Sequence, residues 1–180
     1  LVGFNEGGNL SKTGVVQYSY AKGNVDGNNY VGGLVGDNLY GEVEQSYAIG
    51  SVTGASFVGG LMGRMNKGHI YNAYALGSVT ATGNQAGGLL GSIPNGEGDV
   101  IYSYATGDVS GADQVGGLIG YRKYLYGNSI LNNITFNESV TGTTAKRIFT
   151  GEIGGEDRVS NNYANSGMLV NGSTVSGGAT

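Results

Sequence analysis

Val31-Gly32-Gly33-Leu34-Val35-Gly36 decides the fold, because it comes back three times. It returns as Val58-Gly59-Gly60-Leu61-Met62-Gly63, as Ala86-Gly87-Gly88-Leu89-Leu90-Gly91 and as Val115-Gly116-Gly117-Leu118-Ile119-Gly120, at spacings of 27, 28 and 29 residues. A second block recurs beside it: Ser19-Tyr20-Ala21, Ser46-Tyr47-Ala48, Ala73-Tyr74-Ala75 and Ser103-Tyr104-Ala105. A third block is small and β-branched: Gly50-Ser51-Val52-Thr53, Gly77-Ser78-Val79-Thr80 and Gly107-Asp108-Val109-Ser110. Short apolar or alternating runs bounded by Gly, Asn, Asp and Ser read as strands. Nothing shows helical periodicity. Three short strands in each 27–30 residues predict one turn of a parallel β-helix-like solenoid, right-handed as parallel crossovers favour.

Composition agrees. Glycine fills 37 of 180 positions, with one proline, no cysteine and no tryptophan. Collagen is excluded because glycine has no period of three. A disulfide scaffold is excluded for want of cysteine. So much glycine would cost a helix bundle about 1 kcal/mol per interior position. Corners that need positive φ are the first explanation for the glycine. The net charge, 9 − 13 = −4, gives no reason to expect nucleic acid or an anionic membrane. No apolar run approaches the roughly 18 residues of a membrane span, and no stretch reads as a signal peptide. The chain opens Leu1-Val2-Gly3 without Met, and so reads as a piece of something longer.

Gly-Leu-x-Gly, followed by a loop and then Asn/Ser-Tyr-Ala-x-Gly-x-Val, resembles the GLUG motif repeat. The element stands at Gly33-Leu34-Val35-Gly36, Gly60-Leu61-Met62-Gly63, Gly88-Leu89-Leu90-Gly91 and Gly117-Leu118-Ile119-Gly120. The resemblance is close over residues 1–120. It fades over 121–180, where Ser139-Val140-Thr141-Gly142 and Asn162-Tyr163-Ala164 look like degenerate copies at the end of the same solenoid. The resemblance implies a bacterial secreted or cell-surface protein of the adhesin, haemagglutinin-like or immunoglobulin-A-cleaving metallopeptidase type. In those proteins the repeats are not the catalytic part. It implies a non-catalytic structural or adhesive module that presents loops to a host or cell-surface protein or glycan, with flanking domains in a longer chain. The alternative is a non-catalytic substrate-binding arm of a large peptidase or glycan-active enzyme.

Catalytic, metal and cofactor signals are lacking. His69 is the only histidine, so a His-Glu-x-x-His zinc site is absent and a catalytic triad would depend on it alone. Glu42 with Glu44, and Glu97 with Asp99, have a spacing compatible with paired carboxylates, but also with a solvated strand face. Asp99, Asp108 and Asp113 near turns read as turn residues rather than calcium ligands. Asn-x-Ser/Thr sequons at Asn9, Asn133, Asn137 and Asn171 are what chance gives in an Asn-rich chain. No catalytic residue, metal site or cofactor is expected.

Two features remain. Tyr20, Tyr47, Tyr74 and Tyr104 share one register and predict a ladder. Val16, Val43, Ile70 and Val100 lie at an even offset from it, which favours the inside. Facing outward, the ladder would instead suit sugar rings or a protein. In each copy Leu34/Val35, Leu61/Met62, Leu89/Leu90 and Leu118/Ile119 are adjacent apolar pairs. Regular alternation cannot bury both, so a bulge is favoured over a sheet covered on both faces. The connections after Gly-Leu-x-Gly vary in length, and such insertions form binding faces in solenoids. The candidate binding residues are Tyr40 in Asp37–Tyr40, Arg64 in Arg64–Lys67, and Tyr121, Arg122, Lys123, Tyr124 and Tyr126. A third such connection, Ser92–Asn95, contributes none. The connection Tyr121–Tyr126 mixes tyrosines and cations as interface anchors do.

Overall fold

The computed structural model describes residues 1–8, 14–95, 97–123, 129–151 and 158–174. All regular structure among them is strand, stacked as a parallel β-solenoid of about five turns. Four sheets run along the stack rather than three. Sheet I has ten strands, among them Val2–Glu6, Val35–Glu44, Met62–Tyr71, Leu90–Ile93 and Ile119–Arg122. Sheet II has six, from Tyr20–Ala21 to Tyr163–Ala164. Sheet III carries the Val-Thr block, from Val25–Asp26 through Val52–Gly54 and Val79–Ala81. Sheet IV has five strands, Asn29–Gly32, Ser56–Gly59, Asn84–Gly87, Asp113–Gly116 and Ala145–Lys146.

The fourth sheet comes from the Gly-Gly-Leu element. Gly33 and Leu34 form a corner between sheet IV and sheet I, not a bulge within one strand. At that corner two successive N–H groups converge on one carbonyl of the next turn. Leu34 and Val35 both donate to Leu61 O at 3.0 Å. Leu61 and Met62 do so to Leu89 O, and Leu89 and Leu90 to Leu118 O. This turns both apolar neighbours inward: Leu34 is 2% exposed and Val35 0%. The leucines and their partners form one core column with Val43, Ile70, Val100 and Ile130. A second column, of Val31, Val52, Val58, Val79, Val109, Val115 and Val140, fills the space between sheets III and IV.

The glycines answer to close approach more than to positive φ. Among the described residues, left-handed φ falls on the glycines Gly68, Gly151 and Gly172, but on thirteen residues of other types, including Tyr18, Gln45, Asn72 and Tyr102. A Cβ at Gly33 would overlap the Gly60 carbonyl oxygen and the Ala48 methyl, one at Gly60 the Gly88 oxygen and the Ala75 methyl, and one at Gly88 the Gly117 oxygen and the Ala105 methyl. The stack brings backbone onto backbone at every turn, and only a residue without Cβ fits there.

Candidate functional site

Tyr20, Tyr47, Tyr74 and Tyr104 pair in register along sheet II. Their rings stack with centroids 5.3, 4.7 and 4.9 Å apart and planes within 9° of parallel. The ladder faces outward, against the inward reading: Tyr20 is 57% exposed and the other three are partly exposed. The parity argument fails at the corner. Tyr18, Gln45, Asn72 and Tyr102 take φ of 50°, 45°, 50° and 53°. One left-handed residue resets the alternation, so Ser46, Ala73 and Ser103 turn in and the tyrosines turn out. Ser46 Oγ and Ser103 Oγ then accept the N–H groups of Ser19 and Ala73, at 3.1 and 3.2 Å. Asn133 and Asn162 take this place in later turns, Asn133 Oδ1 accepting Ser103 N–H at 2.9 Å and Asn162 Oδ1 accepting Asn133 N–H at 3.1 Å.

Ring faces within the ladder are spent on one another. The outer face of Tyr20 carries the Lys22 ammonium 5.1 Å from its centroid, and beyond Tyr104 the next rung is Ile134. What reaches solvent is a row of ring edges and phenol hydroxyls at the rung spacing. Burial, and then the neighbouring Tyr104 and Tyr47, hold the Tyr74 hydroxyl above its ordinary pKa, so it stays protonated and can donate. Past the ladder, Asn132, Ile134, Asn161 and Tyr163 line an open cleft of about 300 Å³.

The proposed connecting loops are in part strand. Asp37–Tyr40 lies within Val35–Glu44 and Arg64–Lys67 within Met62–Tyr71, with Asp37↔Arg64, Asn38↔Met65 and Leu39↔Asn66 in register. Two strands of equal length leave nothing over to loop out. Arg64 is bidentate to Asp37, at 2.9 and 2.5 Å, and its guanidinium lies 4.1 Å over the Tyr30 ring. The Asp37 hydrogen bond raises the Arg64 pKa despite partial burial. Tyr30 in turn packs on Phe57 at 4.8 Å. This surface cluster had only Arg64 as its sign in the sequence. Tyr40 is partly exposed, with Lys67 5.3 Å from its ring, and Lys67 pairs with Glu97 at 2.7 Å. Arg122 is fully buried, in register with Ile93 and Gly151 and 5.5 Å from the Phe149 ring, so it offers no binding surface. Tyr121 is partly exposed and Lys123 exposed. Tyr124 and Tyr126 lie outside the described residues.

The carboxylates sit on the outer face of sheet I. Glu42, His69 and Asp99 form one row and Glu44 and Tyr71 the next. His69 Nδ1 is 3.1 Å from Asp99 Oδ2, and Gln17 Nε2 donates to Glu44 at 3.1 Å. Asp99, Asp108 and Asp113 each accept a backbone N–H of the next turn, from Ser129, Ser139 and Thr144, at 2.8, 2.9 and 3.0 Å. Asp99 and Asp113 open the strands Asp99–Ile101 and Asp113–Gly116, and Asp108 stands just before Val109–Ser110, so the three sit at strand starts rather than in turns. Among the described residues no group of three or more His, Cys, Asp or Glu side chains could hold a metal ion. No helix among them is long and apolar enough to cross a membrane.

Stacked turns with outward and inward ladders define a parallel β-solenoid repeat protein. Within it, residues 27–53 match the family described as "The GLUG motif". Over 64 residues the chain is 45% identical to a protein of Evansella cellulosilytica described as "Putative Gly-rich membrane protein". The match covers 34% of this chain and 7% of that relative, so the chain spans a small part of the relative's length. No solved structure matches.

Proposed function

We propose that this solenoid is a non-catalytic structural and adhesive module of a secreted or cell-surface bacterial protein, a rigid spacer that presents one lateral face to a protein or glycan. The outward tyrosine ladder carries this reading. Four phenols held at fixed spacing by the backbone register lose little side-chain entropy on binding, which favours recognition. Because the ring faces are covered by one another, the ladder recognises its partner through edges and hydroxyls, not by stacking on sugar rings. The relative described as a membrane protein is compatible with a place at the cell surface.

The test is a panel of glycans and host matrix proteins probed with the whole chain, with Y47F/Y74F and Y47A/Y74A as variants. Binding that survives in wild type, falls at least tenfold in the Phe pair and shows unchanged unfolding there supports the reading. A ligand held equally by wild type and both variants removes the ladder from the site.

A further inference from the structure

The tyrosine ladder is interrupted at one rung. In register with Tyr104 stands Ile134, and in register with Ile134 stands Tyr163. Tyr104 and Tyr163 are therefore two rungs apart, about 10 Å at ordinary strand spacing. Isoleucine is shorter than tyrosine, so a notch opens above it. Within the ladder each ring is covered by its neighbours. Tyr163 is 59% exposed, and among the described residues neither a ring nor a cation lies over it. Its ring face is free.

Two amides stand beside the notch. Asn132 and Asn161 hold the left-handed corner before it, at φ 57° and 55°. Asn161 Nδ2 donates to Asn132 Oδ1 at 3.1 Å. Asn132 Nδ2 and Asn161 Oδ1 make no hydrogen bond to the described residues. That leaves one donor and one acceptor side by side. Together Asn132, Ile134, Asn161 and Tyr163 line the open cleft of about 300 Å³, at the lower end of the range for small-molecule sites. None of the four is charged. The floor beneath them is fixed. Asn133 and Asn162, 1% and 2% exposed, point inward between the lining residues, and Asn133 Nδ2 donates to Asn162 Oδ1 at 2.9 Å. A site built on such a floor loses little freedom when it is filled.

We propose that this cleft binds one ring of a neutral saccharide. A pyranose has an apolar face of C–H groups and a rim of hydroxyls that both donate and accept. The face packs on the Tyr163 ring and Ile134, and the rim meets the Asn132 Nδ2 donor and the Asn161 Oδ1 acceptor. The want of charge selects against acidic sugars and phosphates. An anion would find no cation among the four lining side chains and would approach a chain of net charge −4. A flat aromatic ligand is the poorer occupant, because Tyr163 is the one aromatic side chain that lines the cleft and the other apolar wall is Ile134. The inference goes beyond the ladder reading and does not rest on it, since it uses the rung at which the ladder is broken.

The test titrates the whole chain with the methyl glycosides of glucose, galactose, mannose and N-acetylglucosamine, followed by NMR shift changes. Methyl glucuronide and adenosine serve as the charged and the flat comparison. At least one neutral glycoside is expected to bind with a Kd on the order of 1 mM. Tyr163→Ala is expected to weaken it about tenfold and Asn161→Ala about fivefold. Tyr163→Phe, which restores the ring, is expected to recover most of the first loss. Ile134→Tyr fills the notch with the missing rung, and is expected to abolish binding without lowering the melting temperature. Loss of binding in a protein that melts no earlier separates a filled cleft from a lost fold. No binding of any of the four glycosides overturns the proposal. So does an Ile134→Tyr chain that binds as wild type does, or tighter binding of glucuronide or adenosine than of every neutral glycoside. None of these variants alters Tyr47 or Tyr74, so a failure here leaves the ladder reading standing.

Discussion

Tyr47 and Tyr74 stack with ring centroids 4.7 Å apart and planes 2° from parallel, on the outside of the solenoid. Their Cα atoms are partners in a parallel sheet, so the rung spacing of the backbone sets the ring spacing. Tyr74 touches a ring on each side, Tyr47 and Tyr104. Each aromatic pair contributes about 0.5–1.5 kcal/mol beyond area. Tyr74→Ala is therefore expected to cost about 1–3 kcal/mol in urea unfolding, and Tyr74→Phe much less. Equal losses would mean that the hydroxyl, not the stack, stabilises the row.

Gly60 faces the Gly88 carbonyl and the Ala75 methyl with no room for a Cβ. Both neighbours belong to packed turns and cannot swing away. Gly60→Ala is expected to destabilise by about 3 kcal/mol, the upper end for overpacking. Gly23→Ala is the contrast: a Cβ there meets nothing within 4 Å, and a smaller loss in the same denaturant series is expected.

Asn133 is 1% exposed and serves three backbone or side-chain partners. Its Nδ2 donates to Val100 O at 2.8 Å and to Asn162 Oδ1 at 2.9 Å, while Oδ1 accepts Ser103 N–H. Asn133→Ala strands buried polar groups at about 1–3 kcal/mol each, so a loss of about 2–4 kcal/mol is expected. Asn133→Ser should recover part of it, because Ser103 Oγ already accepts the equivalent N–H of Ala73 one turn earlier. Chemical denaturation of the two variants side by side decides this.

His69 and Asp99 couple stability to pH. The hydrogen bond to Asp99 raises the His69 pKa above its ordinary 6.5, burial opposes it, and Asp99, Glu42 and Glu44 add attraction. A raised folded-state pKa stabilises fully below 6.5 and is lost as pH climbs through the raised value. Burial pushes the Asp99 carboxyl up, but bonds from His69 and the Ser129 N–H outweigh it and hold it below 3.8, so its contribution is lost only as pH falls through that lowered value. The His69 side chain is 41% exposed, so solvent screening limits the contribution to about 0.5 kcal/mol or less. The stability gap between wild type and His69→Gln is expected to narrow between pH 6 and 9. A gap that widens over that range reverses the sign and rejects the assignment.

What the sequence determined by itself was the repeat. Gly-Gly-Leu-x-Gly, Ser-Tyr-Ala and Ser-Val-Thr recur at a near-constant period, and a period with strand-like runs leaves few folds other than a stacked parallel solenoid. That Asp99, Asp108 and Asp113 lie near corners was equally legible, though not that each stands at a strand start and accepts a backbone N–H of the next turn. Tertiary structure decided which way the side chains face. One left-handed residue at Gln45 or Tyr102 reverses the alternation that Val43 and Val100 establish, and nothing in a Gln or a Tyr announces that φ. The same holds for the glycines. Their number was plain in the chain, but their cause was the carbonyl of a residue some 27 positions away, brought into contact only when the turns stack. Arg122 shows the limit most clearly: beside Tyr121 and Lys123 it reads as a surface cation, and only the pairing of its strand with Leu90–Ile93 and Phe149–Gly151 puts it inside.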